Sequence, residues 1–287
     1  MDSRGINEFI KENVDKIYDE MVKVRRVIHE NPELGDEEFE TSKFIKNFLM
    51  ENGIEFSEII NTGVVATIYN DKENMKNKTV ATRADIDALP IFEENEVEYK
   101  SKNIGKMHAC GHDAHTTIQL GVAKILADNK DKWNGTVKFF FQPAEETTGG
   151  ADRMIKNGAL KFENDKNRKI DAFFALHMAP EIELGKIGIK YGKAHASSAR
   201  IHLTINGFSA HAALPHKGVD AILIGSKVME YLQSIVSRRI DSREEAVITI
   251  GTFNGGFADN VVCDKVEMRG TARTMSEETR TFIIETL

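Results

Sequence analysis

The sequence predicts an α/β fold, a mixed sheet flanked by helices, with a smaller α+β unit after it. Three observations carry that expectation. Over residues 1–191, amphipathic stretches of helical period alternate with short β-branched or aromatic runs. Residues able to do chemistry gather where those runs end, which is the edge at which open α/β sheets place their sites. Over residues 192–287 the texture changes to alternating strands around one helix.

The first helix is read from Ile6, Phe9, Ile10, Val14, Ile17, Met21, Val24 and Ile28, which recur at helical steps and stop at Asn31-Pro32. Phe39, Phe44, Ile45, Phe48 and Leu49 mark a second, ended by Asn52-Gly53. The runs 63–69 and 79–82 then read as paired strands across an acidic-polar link over 71–78. A third helix follows His115, with Ile118, Val122, Ile125 and Leu126 as its apolar stripe. Residues 135–141 and 171–176 read as buried strands, separated by a short helix over 151–157 and a charged surface loop over 161–169. Beyond Tyr191, the expectations are a strand over 199–205, a loop over 207–218, a helix over 219–237, and strands over 246–253 and 265–272. Ser276, followed by Glu277 and Glu278, is the N-cap of a last amphipathic helix that carries no stop signal, so the chain is expected to be a fragment.

With 287 residues and a net charge of −7, the chain can bury a sizeable core and offers no basic stripe to a nucleic acid. No stretch approaches the length of a membrane span, and the N-terminus has no apolar signal core. A cytoplasmic protein is expected. Its cysteines are Cys110 and Cys263 alone, too few for a disulfide framework, which leaves the Cys110 thiol available as a ligand.

The densest chemistry is His108-Ala-Cys-Gly-His-Asp-Ala-His115. Thiolate and imidazole suit borderline-soft divalent metals, and Gly111 lets Cys110 and His112 converge. Asp113 suits a helix N-terminus. The strand over 79–82 delivers Asp85 and Asp87 in Arg83-Ala-Asp-Ile-Asp-Ala-Leu-Pro90, where Asp87 is either a site residue or a turn cap and Asp85 a solvated neighbour. The strand over 135–141 delivers Glu145-Glu146, and extended backbone would point these carboxylates to opposite sides, one towards a metal and the other towards water. His177 ends a further strand. Cys110, His112, one glutamate and His177 thus arrive at strand ends by one geometric rule.

These residues, with His29-Glu-Asn-Pro-Glu33, Phe141-Gln-Pro-Ala-Glu-Glu146 and Ser209-Ala-His-Ala-Ala-Leu-Pro-His216, appear in the order of a known family. The chain resembles the M20 metallopeptidase and aminoacylase superfamily, in its amidohydrolase branch of hippurate hydrolases, auxin-conjugate hydrolases and N-acetyldiaminopimelate deacetylases. The resemblance implies a zinc-exopeptidase-like catalytic domain over 1–191 and an inserted lid and dimerisation domain over 192–287. It implies two divalent ions (manganese, zinc, cobalt or nickel) held by Cys110, His112, Glu146 and His177, with Asp87 orienting a ligand and Glu145 as general base. His211 would reach an active site, and Asn260 and Arg273 would hold a substrate carboxylate, with Arg269 as a competitor for the last role. The implied reaction is hydrolysis of an N-acyl amino acid by a possible homodimer. Alternatives are an exopeptidase acting on dipeptides or peptide C-termini, and an inactive fragment that binds metal or dimerises without turnover. Family members continue past the lid to a last histidine ligand, so the chain is expected to stop short of it.

Overall fold

A computed structural model describes residues 3–73, 77–162 and 167–287, so parts of the expected 71–78 link and 161–169 loop lie outside the described residues. It divides into two compact units, Met1–Glu181 and Ile182–Leu287.

In the first unit, α1 (Ser3–Glu30) and α2 (Phe39–Glu51) precede strands β1 (Glu55–Ile59), β2 (Gly63–Asn70) and β3 (Thr79–Asp85). Helix α3 (His112–Asp128), β4 (Gly135–Gln142), α4 (Gly150–Lys156) and β5 (Ala172–Ala175) complete it. The sheet runs β1-β2-β4-β3-β5 and is mixed. β2 is antiparallel to β4, while β3 runs parallel to both β4 and β5. The expected pairing of the 63–69 and 79–82 strands is therefore wrong. β4 lies between them, because the crossover through α3 returns the chain parallel to β3 and on the side facing β2.

β4 explains its run of phenylalanines by being covered on both faces. Phe139 and Phe141 join Ile45, Leu49 and Leu120 beneath the helices α1 to α3. Phe140 joins Val65, Ala81 and Met154 on the other face, beneath α4. Each such side chain contributes about 1.5–3 kcal/mol on burial. β5 is different. Expected to be buried, it exposes Phe173 and Phe174 by 51% and 61%, since among the described residues it pairs only with β3. Phase also corrects α3. Ile118 and Val122 are exposed, while Thr116, Gln119, Leu120 and Ala123 are buried, because the helix is wedged between α1 and the sheet. Two of its buried polar side chains are satisfied by backbone, Thr116 Oγ1 donating to Asp85 O at 3.0 Å and Gln119 Nε2 to Phe140 O at 2.8 Å.

The second unit holds β6 (Ser197–Asn206), α5 (Ala221–Arg239), β7 (Ala246–Gly255), β8 (Lys265–Thr274) and α6 (Glu277–Thr286). Its antiparallel sheet runs β6-β8-β7, and one face packs Ile201, Ile248 and Ala272 against Leu232, Ile235 and Ile283. Asp220 caps α5, accepting from Ile222 N and Leu223 N, and Ser276 caps α6, accepting from Thr279 N. The expected 207–218 loop includes a 3-10 turn, Pro215–Lys217. Among the described residues no helix is long and apolar enough to cross a membrane.

Candidate metal centre

Three loops at the carboxyl ends of parallel strands meet in the first unit. After β3, Asp85 and Asp87 are each only 1% exposed, so the solvated reading of Asp85 fails. Alternation along the strand had put both carboxylates on one side, which was the available signal. Asp87 ties two loops together. Its backbone carbonyl accepts from His112 Nδ1 at 2.7 Å, its Oδ1 lies 3.1 Å from the same nitrogen, and its Oδ2 accepts from Glu146 N at 3.0 Å.

A carbonyl oxygen can only accept, so the proton of the neutral His112 ring is on Nδ1 and the Nε2 lone pair is left over. That nitrogen is buried and has no hydrogen-bond partner. His177 repeats the arrangement, with Nδ1 on Met178 O at 2.6 Å and Nε2 3.4 Å from Cys110 Sγ. Metal-ligating histidines are commonly oriented in this way, through the nitrogen that does not bind. Ligand atoms of Cys110, His112 and His177 lie within 4.8 Å of one another, and so do those of His112, Glu145 and Glu146.

The glutamates correct one expectation. Residues 145–148 form a turn after Ala144, whose φ is +52°, so the backbone is not extended there. Both carboxylates consequently approach the same His112 ring.

A family model described as peptidase family M20/M25/M40 matches residues 81–280. The chain belongs to that family. It is 43% identical to an N-acetyl-L-cysteine deacetylase of Bacillus subtilis, over 93% of this chain and 62% of that protein. With an IAA-amino acid hydrolase of Arabidopsis thaliana the identity is 43%, over 91% of this chain and 58% of the relative. The chain thus spans about three fifths of the length of these relatives. Among solved structures, a dinuclear metal-binding peptidase of the M20 family from Bacillus subtilis is 35% identical, with a TM-score of 0.75 over 95% of this chain and 68% of that one.

The electrostatics of this M20 cluster call for positive charge. Burial pushes the Cys110 thiol up to about 12, and the nearby carboxylates of Glu146, Asp85 and Glu145 add to the shift. Burial alone would lower the His112 pKa, but the Asp87 hydrogen bond and the Asp85 charge hold it above its ordinary value. Burial and the charge of Glu146 raise Glu145. A divalent cation would answer all of these at once by removing the thiol proton and taking the His112 Nε2 lone pair. The donor set fits a divalent metal.

His115, which carried no assignment from the sequence, is fully engaged. Met178 N donates to its Nε2 at 2.8 Å, leaving Nδ1 to donate to Asp85 Oδ1 at 2.6 Å. Burial opposes ionisation of Asp85, yet the His115 hydrogen bond and the charges of His112 and Arg83 bring it down to about 2. Its spacing after His112 and the Asp-x-Asp pattern were the signals that could have revealed this pair. In the second unit, His211 bridges to Val261, and Ala212 N donates to Asn260 O at 3.0 Å, so His211 and Asn260 come from adjoining segments. Arg269 and Arg273 both project from the sheet face opposite the helices; Arg273 donates to Ser198 Oγ.

Proposed function

We propose that the chain is the metal-binding part of an amidohydrolase that cleaves the amide bond of N-acyl amino acids. The observation that carries the reading is the buried Nε2 of His112, which makes no hydrogen bond and stands 3.5 Å from Asp85 Oδ2 and 3.9 Å from Glu146 Oε1, among Cys110, His177 and the two glutamates. In this reading Cys110, His112, Glu146 and His177 hold two divalent ions, manganese, zinc, cobalt or nickel, with Asp87 orienting His112. Such ions, when bound, supply Lewis-acid polarisation of the amide carbonyl and lower the pKa of the attacking water. Glu145 accepts the proton of that water at a carboxylate oxygen and returns it to the leaving nitrogen. Its carboxylate lies within 4.8 Å of the ligand atoms of His112 and Glu146, beside the position such ions would take. His211 is proposed for oxyanion stabilisation, Asn260 and Arg273 for the substrate carboxylate, and the second unit for homodimer contact.

The names of the deacetylase and hydrolase relatives support an acyl amino acid substrate. That the similar solved structure is a peptidase favours a second reading, hydrolysis of dipeptides. Assaying amine release from N-acetyl amino acids and from dipeptides, with each of the four metals, separates the two. Faster, metal-dependent turnover of acyl amino acids is expected. Faster dipeptide cleavage selects the second reading, and bound metal without any turnover contradicts both.

A further inference from the structure

The His29-Glu-Asn-Pro-Glu33 motif is not used by the chemistry above, yet its surroundings are unusual. His29 in the last turn of α1 and the α1–α2 connector that follows reach the first turn of α3, the segment after Asp87 and the Glu145–Glu146 turn. His29 is 4% exposed, and its ring faces carboxylates on both sides, Asp113 Oδ2 at 2.7 Å from Nδ1 and Glu93 Oε1 at 3.1 Å from Nε2. Arg25 Nε adds a second contact to Asp113 Oδ2 at 2.7 Å. Asp113 is 0% exposed and follows His112 in the first turn of α3, about 100° further round the helix. Anchoring His112 through Asp87 and Asp113 through His29 therefore fixes both the rotation and the height of that turn, and with it the approach of Cys110.

The same connector continues to the other loops. Glu33 O accepts from Ala88 N at 2.8 Å, immediately after Asp87. Glu38, 0% exposed, accepts from Ala144 N at 2.8 Å and from Thr62 Oγ1 at 2.8 Å. It thereby holds the left-handed residue that turns Glu145 and Glu146 towards His112. Glu38 thus anchors the backbone N–H of the non-glycine residue of positive φ that opens the turn, the point from which the direction of both glutamates is set.

We propose that His29 and Glu38 are positioning residues for the metal centre, His29 acting on the Cys110–His112 loop through Asp113 and Glu38 on the Glu145–Glu146 turn through Ala144. The inference rests on the metal-site reading. Groups that orient metal ligands typically change metal affinity by about 10–100-fold when removed.

The test is a cobalt(II) titration of the chain, followed by visible and near-ultraviolet absorption, with folding checked by circular dichroism. His29→Leu is expected to weaken cobalt binding by about tenfold and to shift the thiolate-to-cobalt charge-transfer band. His29→Asn places an N–H near Nδ1 and should recover most of both. Glu38→Leu should weaken binding with that band unmoved, and Glu38→Gln, which keeps an acceptor for Ala144 N, should restore it. If His29→Leu does not fold, Arg25→Gln is read instead; it removes a donor to the same carboxylate from a partly exposed site and should move the band in the same sense. Wild-type affinity and spectrum in the folded Leu variants, or in Arg25→Gln, overturn the proposal. So does a His29→Asn variant no better than His29→Leu. Wild-type protein that binds no cobalt overturns the metal-site reading itself, which is a separate result.

Discussion

Gly111 separates Cys110 from His112, and replacing it with alanine probes the geometry of the whole loop. Its φ is +86°, and a Cβ there would stand 2.9 Å from Met178 Cγ and 3.0 Å from Met178 Cβ. Left-handed backbone costs a residue with a Cβ about 1–2 kcal/mol, and forcing an atom into a filled space costs about 1–3 kcal/mol. Gly111→Ala should therefore destabilise the first unit by about 2–5 kcal/mol in urea denaturation. Placing it in a Met178→Ala background separates the two terms. That second change removes Cγ but leaves both Cβ and the Met178 N–H that bonds His115, so the cost of Gly111→Ala should fall by about 1 kcal/mol without vanishing. A cost below about 0.5 kcal/mol would mean that the left-handed turn is wrong. An equal cost in both backgrounds would mean that the Met178 contact is wrong.

Glu145→Gln should lower turnover by about 10²–10⁴-fold while metal content stays near wild type, because the amide keeps the shape but accepts no proton; loss of metal instead would exchange its role with that of Glu146. Cys110→Ser should weaken metal binding, as measured by equilibrium dialysis, since a hydroxyl gives up its proton far less readily than a thiol; unchanged affinity would remove Cys110 from the ligand set. In metal-free protein, Asp85 has a folded-state value of about 2 against 3.8, equivalent to about 2 kcal/mol. Because the folded value is the lower one, that stability is present above about pH 4 and is lost as pH falls towards 2. Denaturation across this range should show the loss in wild type and a flattened acid limb in Asp85→Asn, and identical limbs would refute the pairing with His115.

How much of this was legible in the sequence follows from what each residue type can signal. Cys110, His112 and His177 stood out because thiol and imidazole are common donors to divalent metals, and the structure brings their ligand atoms within 4.8 Å of one another. The caps at Asp220 and Ser276 differ in this respect: Ser276 was readable from local chemistry, while Asp220 sat inside a stretch assigned to the helix itself. Strand neighbours were not legible, because nothing in the 63–69 and 79–82 runs encodes that β4 would come between them. The apolar stripe of α3 misled because buried Thr116 and Gln119 are satisfied by distant carbonyls, which only the fold supplies. Exposure of β5 was equally hidden, since an apolar run reads the same at an edge as in the middle of a sheet. The role of His29 depends on Asp113 and Glu93, far away in sequence.

The central claim is that the Nε2 of His112 and its neighbours hold a divalent metal. Anomalous diffraction from a crystal grown with zinc tests it most directly. The account predicts a peak about 2.0–2.1 Å from His112 Nε2 and about 2.3 Å from Cys110 Sγ, with His177 in the same coordination sphere. No peak at these residues, or one that leaves His112 Nε2 without a metal, would contradict it.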